Sequence, residues 1–398
     1  MQRTRPLPGS RLVLAGALAL ALTSFAQRGL NAQILVSANE GKYDLSSGVG
    51  RVVEDPKPDS LTILDFRTFP PRTQNIAGIA NSVVGPPTNL AITPDERLAL
   101  VANSVRRYTD DRKKPLPDDV VQVVDLRGDA GHILSRVKVG RQPSGLAINR
   151  AGNLALVANR ADGTVSVLDI RGNSVAVIDT IAVGDAASEP SDVAFDPAGD
   201  LALVSLNKAG AARVLHIAEK RVTVAERKIP LYGQPYHVQI TPDGAVGLVA
   251  GAGNLNGPDA DLLSLVDLTA NPIHTIDHIV VGTGPESFDI SPDGRLVAAV
   301  LMEGSNVPAD DPQRQEYARL RLFKRDGKSL ARVQELRIGR IPEGVCFTPD
   351  GKYLVVQEHA AQQLAIYAVK DDALEDTGVR IATPGFPSAL RRADQRSK

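Results

Sequence analysis

Three observations predict an all-β chain, a seven-bladed β-propeller of four-stranded blades whose ring is closed by pairing N- and C-terminal segments. A proline-led phrase recurs six times at intervals near fifty residues. Each copy holds several short runs of alternating large and small residues. The two ends of the chain each carry part of one more copy. A period of this length with several short strands per unit reads as propeller blades rather than a helical solenoid.

The copies are "PTNLAITPDERLALVAN" from Pro87, "PSGLAINRAGNLALVAN" from Pro143 and "PSDVAFDPAGDLALVSLN" from Pro190. They continue with "PYHVQITPDGAVGLVAG" from Pro235, "PESFDISPDGRLVAAVL" from Pro285 and "PEGVCFTPDGKYLVVQE" from Pro342. Successive prolines lie 56, 47, 45, 50 and 57 residues apart. Within a unit, the proline fixes φ where the chain enters the innermost strand. Leu146 and Ile148 flank the small Ala147, and Val193 and Phe195 flank Ala194, the period-2 pattern of a strand. Pro-Asp-Gly or a variant then makes a tight turn. A second strand ("LALVAN"), a third ("VSVLDI") and a fourth ("VAVIDTIAV") follow. Four strands make one sheet, and its two faces are buried against the neighbouring sheets.

The ends complete the ring. "ILVSAN" (Ile34 to Asn39) imitates a second strand and "DSLTILDF" (Asp59 to Phe66) a third, but no innermost strand precedes them. "FPSALRR" around Pro387 supplies a seventh anchor with no second strand after it. Pairing these pieces removes two exposed sheet edges.

The first residues read as a secretory signal peptide. Arg3, Arg5 and Arg11 precede an apolar stretch from Leu12 to Ala26, too short to span a bilayer and ending in small residues. The expected division is a signal over 1–26, with cleavage as late as residue 32, and one propeller domain over 33–398. The mature product is then periplasmic or secreted, with no membrane span after signal removal. Cys346 is the one cysteine, so no intrachain disulfide forms. Lys and Arg total 45 against 46 Asp and Glu, which leaves no basic excess for nucleic acid. Trp is absent and aromatics are 4%, which disfavours recognition by ring stacking. The expected partner is a protein or small-molecule ligand, bound by a monomer.

The motifs "SPDG", "TPDG", "LVAN" and "VSVLD" resemble those of the YVTN family of seven-bladed propellers, across nearly the whole mature chain. That resemblance implies the fold and leaves the activity open. "ANEG…DP…DSLTILD", residues 38 to 65, is also similar to the opening of larger surface and periplasmic propellers.

Second-to-third strand connections are long at 39–58, 104–119, 251–261 and 302–317, and short at 160–163 and 207–211. Length gathered on one face of a rigid scaffold marks the binding face. The two residues after each anchor proline line the channel mouth there: Thr88 and Asn89, Ser144 and Gly145, Ser191 and Asp192, Tyr236 and His237, Glu286 and Ser287, Glu343 and Gly344. Glu358 and His359 fall in a loop that leans over this mouth. The candidate ligand-binding set is therefore Asn89, Asp192, His237, Glu286, Glu343, Glu358 and His359. No cofactor is identified, and the oxygen donors are compatible with a divalent cation such as calcium.

Asp110, Asp111, Asp118 and Asp119 share a loop with five cations and read as a solvated charge cluster, with calcium ligation as the alternative. His132, His216, His274 and His278 fall in outer strands and read as structural. Asn39, Asn103 and Asn159 end second strands and read as side-chain caps of turn amides. Nucleophile elbows, metal-binding helix motifs and phosphate loops are absent from the sequence. The reading leans away from an enzyme. The alternative is a lactonase-like hydrolase or lyase at the channel mouth, with a carboxylate or imidazole activating water, with or without a divalent cation.

Overall fold

In a computed structural model, described for residues 1–2, 33–107, 115–127, 131–252 and 259–394, the repeated phrase forms seven four-stranded antiparallel sheets. The signal segment expected over 1–26, and its alternative end at 32, fall outside the described residues beyond position 2. Six blades are continuous in sequence. The blade begun by Pro143 is typical: Pro143–Ile148, Leu154–Asn159, Thr164–Arg171 and Ser174–Ala182 lie side by side from the channel outward. The turns follow the sequence chemistry. Thr241, Ser291 and Thr348 each donate a hydroxyl hydrogen bond to the aspartate two residues on, at 2.5, 2.6 and 2.7 Å. Gly244, Gly294 and Gly351 then take φ of 73°, 74° and 71°.

The seventh blade is shared between the ends. Its order is Phe386–Arg392, Ile34–Glu40, Ser60–Asp65 and Arg72–Ala77. Leu35 pairs with Arg392 and Glu40 with Phe386, so the last strand is the innermost one that the N-terminal region lacks.

Seven apolar clusters hold the ring, each spanning two adjacent blades. At the closure, Leu35, Leu64 and Leu390 pack on Cys346, Val355 and Ile366. On the other side of the same blade, Val36, Leu61 and Ala389 pack on Leu90, Ile92 and Val101. Middle strands are buried on both faces, as at Leu154–Asn159, whereas fourth strands such as Ser174–Ala182 alternate toward solvent. No helix among the described residues is long and apolar enough to cross a membrane.

Candidate functional site

The inner strands do not run cleanly from their prolines. Pro190 pairs with Leu206 and Asp192 with Ser205; Pro285 pairs with Leu301 and Ser287 with Val300; Pro342 pairs with Glu358 and Val345 with Val356. An extra residue therefore bulges from the ladder just after these anchors, and a bulge re-aims side chains. Glu286 and Glu343 are such residues. The residue before the anchor is strained in several blades: Gln142, Glu189 and Ile341 have φ of 55°, 45° and 54°. For the β-branched Ile341 this is a costly conformation.

Glu286 and Glu343 line one cavity of about 240 Å3 on the loop-rich face. Tyr236 and the apolar Leu45, Val83, Val84, Met302 and Ile341 complete much of its wall. Leu45 belongs to the 39–58 connection, which adds a small hairpin, Tyr43–Asp44 with Arg51–Val52. Arg340 ties that excursion down, donating to the Ser46 carbonyl at 2.7 Å.

Three carboxyl groups are buried at this mouth. Burial pushes Glu286 up to about 7, partly offset by the hydrogen bond it accepts from Tyr236. Burial, then the neighbouring Glu286 and Glu40 carboxyls, hold Glu343 well above the usual carboxylate range. Glu40 is raised to about 7 by burial, although Lys42 lies 3.2 Å away and the Val83 N–H donates to it at 2.7 Å. Lys42 also contacts Asp59 and donates to the Asn81 carbonyl, both at 2.5 Å. Among the described residues, neither Glu286 nor Glu343 has a Lys or Arg within ion-pair distance. Glu343 has only His359, whose Nδ1 is 4.0 Å away and donates to the Pro387 carbonyl at 3.1 Å. Burial pushes that imidazole down to about 4, so it is neutral.

The other expected site residues divide by depth and role. Asn89 donates from Nδ2 to the Ser82 carbonyl at 2.6 Å, while its buried Oδ1 has no partner among the described residues. Asp192 accepts from the Val193 and Val238 amides at 2.8 and 3.0 Å, and burial raises it to about 6. His237 stacks on Phe288 at 4.6 Å, with Nε2 3.9 Å from Asp192. Burial, then Arg391, depresses it well below its usual value. It faces a second, smaller pocket of about 120 Å3 at the opposite mouth, with Gln239 and Arg391. Glu358 accepts from the Gly339 amide at 2.7 Å and from Gln363 at 2.6 Å, and so braces backbone. The Leu45 amide donates to His359 Nε2 at 3.3 Å, which pins the hairpin. Neither residue lines the cavity.

The sequence set omits Tyr236, although it occupies the first position after its anchor, and omits Glu40 and Lys42, which chain closure brings to the mouth. The strand-ending asparagines act otherwise than expected. Asn159 donates to the Thr164 and Ser166 hydroxyls, each at 3.0 Å, and Asn39 to Thr62 at 3.1 Å; they bridge second and third strands rather than capping turn amides. Asp118 accepts from Asn103 at 2.7 Å and lies 3.3 Å from Arg106, while Asp110 and Asp111 fall outside the described residues. His132, His274 and His278 stand in fourth strands and His216 in the third strand of its blade. Among the described residues, no group of three or more His, Cys, Asp or Glu side chains is placed to hold a metal ion.

No protein-family model and no curated protein sequence matches the chain. Solved structures do. The periplasmic gluconolactonase of Pseudomonas aeruginosa is similar over 90% of this chain and 99% of its own, at TM-score 0.65 and 18% identity. A functionally unknown protein from Desulfotomaculum acetoxidans is similar over 92% and 100%, at TM-score 0.66 and 12% identity. Hydrazine synthase of Kuenenia stuttgartiensis is similar over 78% and 90%, at TM-score 0.59 and 19% identity. At such identities the likeness is one of fold alone.

Proposed function

We propose that this chain is an exported, monomeric propeller of the YVTN type that binds a small ligand in the loop-rich mouth. One observation carries the reading: Glu343, 2% exposed, lines a cavity and makes no hydrogen bond among the described residues. A buried polar group left unpaired costs about 1–3 kcal/mol, which packing alone gives no reason to retain. The strained Ile341 beside it has the same character.

The test is Glu343→Leu. Its expected urea unfolding free energy is about 1–3 kcal/mol above that of the wild type, because the unpaired carboxyl is gone. In a thermal-shift screen of small polar molecules, hits on the wild type are expected to vanish in the variant. A destabilised variant that keeps every hit would overturn the reading.

A second reading, lactone hydrolysis at the same mouth, draws on Glu286. A carboxyl raised to about 7 is suited to general acid–base work at neutral pH, and one structural neighbour is a gluconolactonase. Turnover of an aldonolactone by the wild type and its loss in Glu286→Gln is the outcome that favours it over simple binding.

A further inference from the structure

The mouth is rich in acceptors and short of donors. The Glu286 and Glu343 carboxyls line it, and Asn89 Oδ1, an acceptor, and the Ser144 hydroxyl, an acceptor with a single O–H donor, are buried without a partner among the described residues. Ser144 stands at the cavity margin, since a Cβ on the cavity-lining Gly85 would fall 2.3 Å from its Oγ. Ser144 apart, the donors near the mouth are engaged elsewhere. The Tyr236 hydroxyl bonds to Glu286. Lys42 is held among Glu40, Asp59 and the Asn81 carbonyl. Arg340 donates to the Ser46 and Ser305 carbonyls, and Arg160, whose Nε has no partner among the described residues, donates from both Nη atoms to Glu189 and Ser191 and does not line the cavity. A ligand entering here must bring donors of its own, and an anion would meet two carboxyl groups with no Lys or Arg lining the cavity among the described residues.

We infer that the ligand is a small organic cation, a primary ammonium on a short apolar stem, which docks between Glu286 and Glu343 in exchange for a proton. This rests on the reading of the mouth as a small-ligand site. The stem packs on Leu45, Val83, Val84, Met302 and Ile341, and the ammonium donates to the two carboxyl groups. When the site is empty at pH 6 both carboxyls are protonated, because burial without a counter-charge disfavours ionisation. Binding ionises one of them, whose proton leaves to solvent, while the other stays protonated. The titratable groups facing the pair are Tyr236, Glu40 with Lys42 and Asp59 behind it, and His359, on which Asp44 acts in turn. Arg160 acts on Tyr236.

The experiment is titration calorimetry on the full protein, with n-butylammonium chloride as the probe. 1-Butanol serves as its uncharged shape match and calcium chloride as the inorganic cation. Expected at pH 6 is binding of butylammonium, with heats that differ between buffers of different ionisation enthalpy by the equivalent of about one proton released. Affinity is expected to rise roughly tenfold per pH unit below the pair's titration and to level off above it. Glu343→Gln and Glu286→Gln, each checked for cooperative unfolding, are expected to lose the proton release and to bind at least about tenfold more weakly. Butanol binding as tightly as butylammonium, with no proton release, overturns the inference and leaves the mouth reading standing. Calcium binding in place of butylammonium also overturns it. If no probe binds, the inference falls, and the mouth reading falls with it only if Glu343→Leu gains no stability.

Discussion

A chain ending at Gly385 is expected not to fold. Without Phe386–Arg392, the strand Ile34–Glu40 becomes a bare inner edge, and bare edges pair with other chains. Leu390 leaves the interface with the preceding blade, and Ala389 and Ala393 leave the interface with the next. Gln357 loses the Ala389 carbonyl that it reaches at 2.7 Å, and Asn81 loses the Ser388 hydroxyl at 2.7 Å. Two of the seven interfaces open together. The loss exceeds about 5 kcal/mol, the lower end of the net stability of a folded domain. Urea unfolding followed by circular dichroism, with gel filtration, should show no cooperative transition and an aggregated product. A peptide carrying the missing strand, added in trans, is expected to restore part of the transition by strand addition. A monomeric truncated protein with an unchanged midpoint would show that the ring does not need its closing strand.

The second large effect is expected at Arg392. Its guanidinium meets the buried Asp289 carboxylate and donates to the Ile290 and Phe347 carbonyls at 2.8 and 3.2 Å. Asp289 in turn accepts from the Phe347 amide at 2.7 Å and from Gln239 at 3.1 Å. This one ion pair joins the closing strand to three preceding blades. Arg392→Ala leaves Asp289 buried without its cation, at an expected cost of about 3–5 kcal/mol. Adding Asp289→Asn removes the stranded charge and should recover a good part of that loss. Both changes are read by chemical unfolding as a double-mutant cycle. Equal losses in the single and double variants would mean that the pair contributes only through packing.

The fold was legible because the phrase repeats with its turn chemistry intact, and because each end holds the part of a blade that the other lacks. Half of the site was legible for the same reason: the bulge recurs after every anchor but Pro87, so the positions of Glu286 and Glu343 follow from their prolines. The rest depends on contacts that no local pattern encodes. Glu40 reaches the mouth only through the pairing of the chain ends. Nothing in a sequence with 45 Lys and Arg residues shows that none of those among the described residues pairs with Glu286 or Glu343. Glu358 and His359 follow their strand at the expected place, yet the Gly339 and Leu45 amides engage them. His237 follows its anchor like the others, but stacking on Phe288 takes the ring down into the channel.

Protonated carboxyls at the mouth have a sign that can be tested. A folded-state pKa above the unfolded value gives stability that is complete below about 4.5 and lost as the pH rises through about 7. The most direct measurement is the infrared carbonyl band of protonated carboxyl groups at pH 7. The wild type is expected to show such a band, and Glu343→Gln to lack its main component. A wild-type spectrum with only ionised carboxylates at that pH would contradict the assignment of this mouth as a proton-holding ligand site.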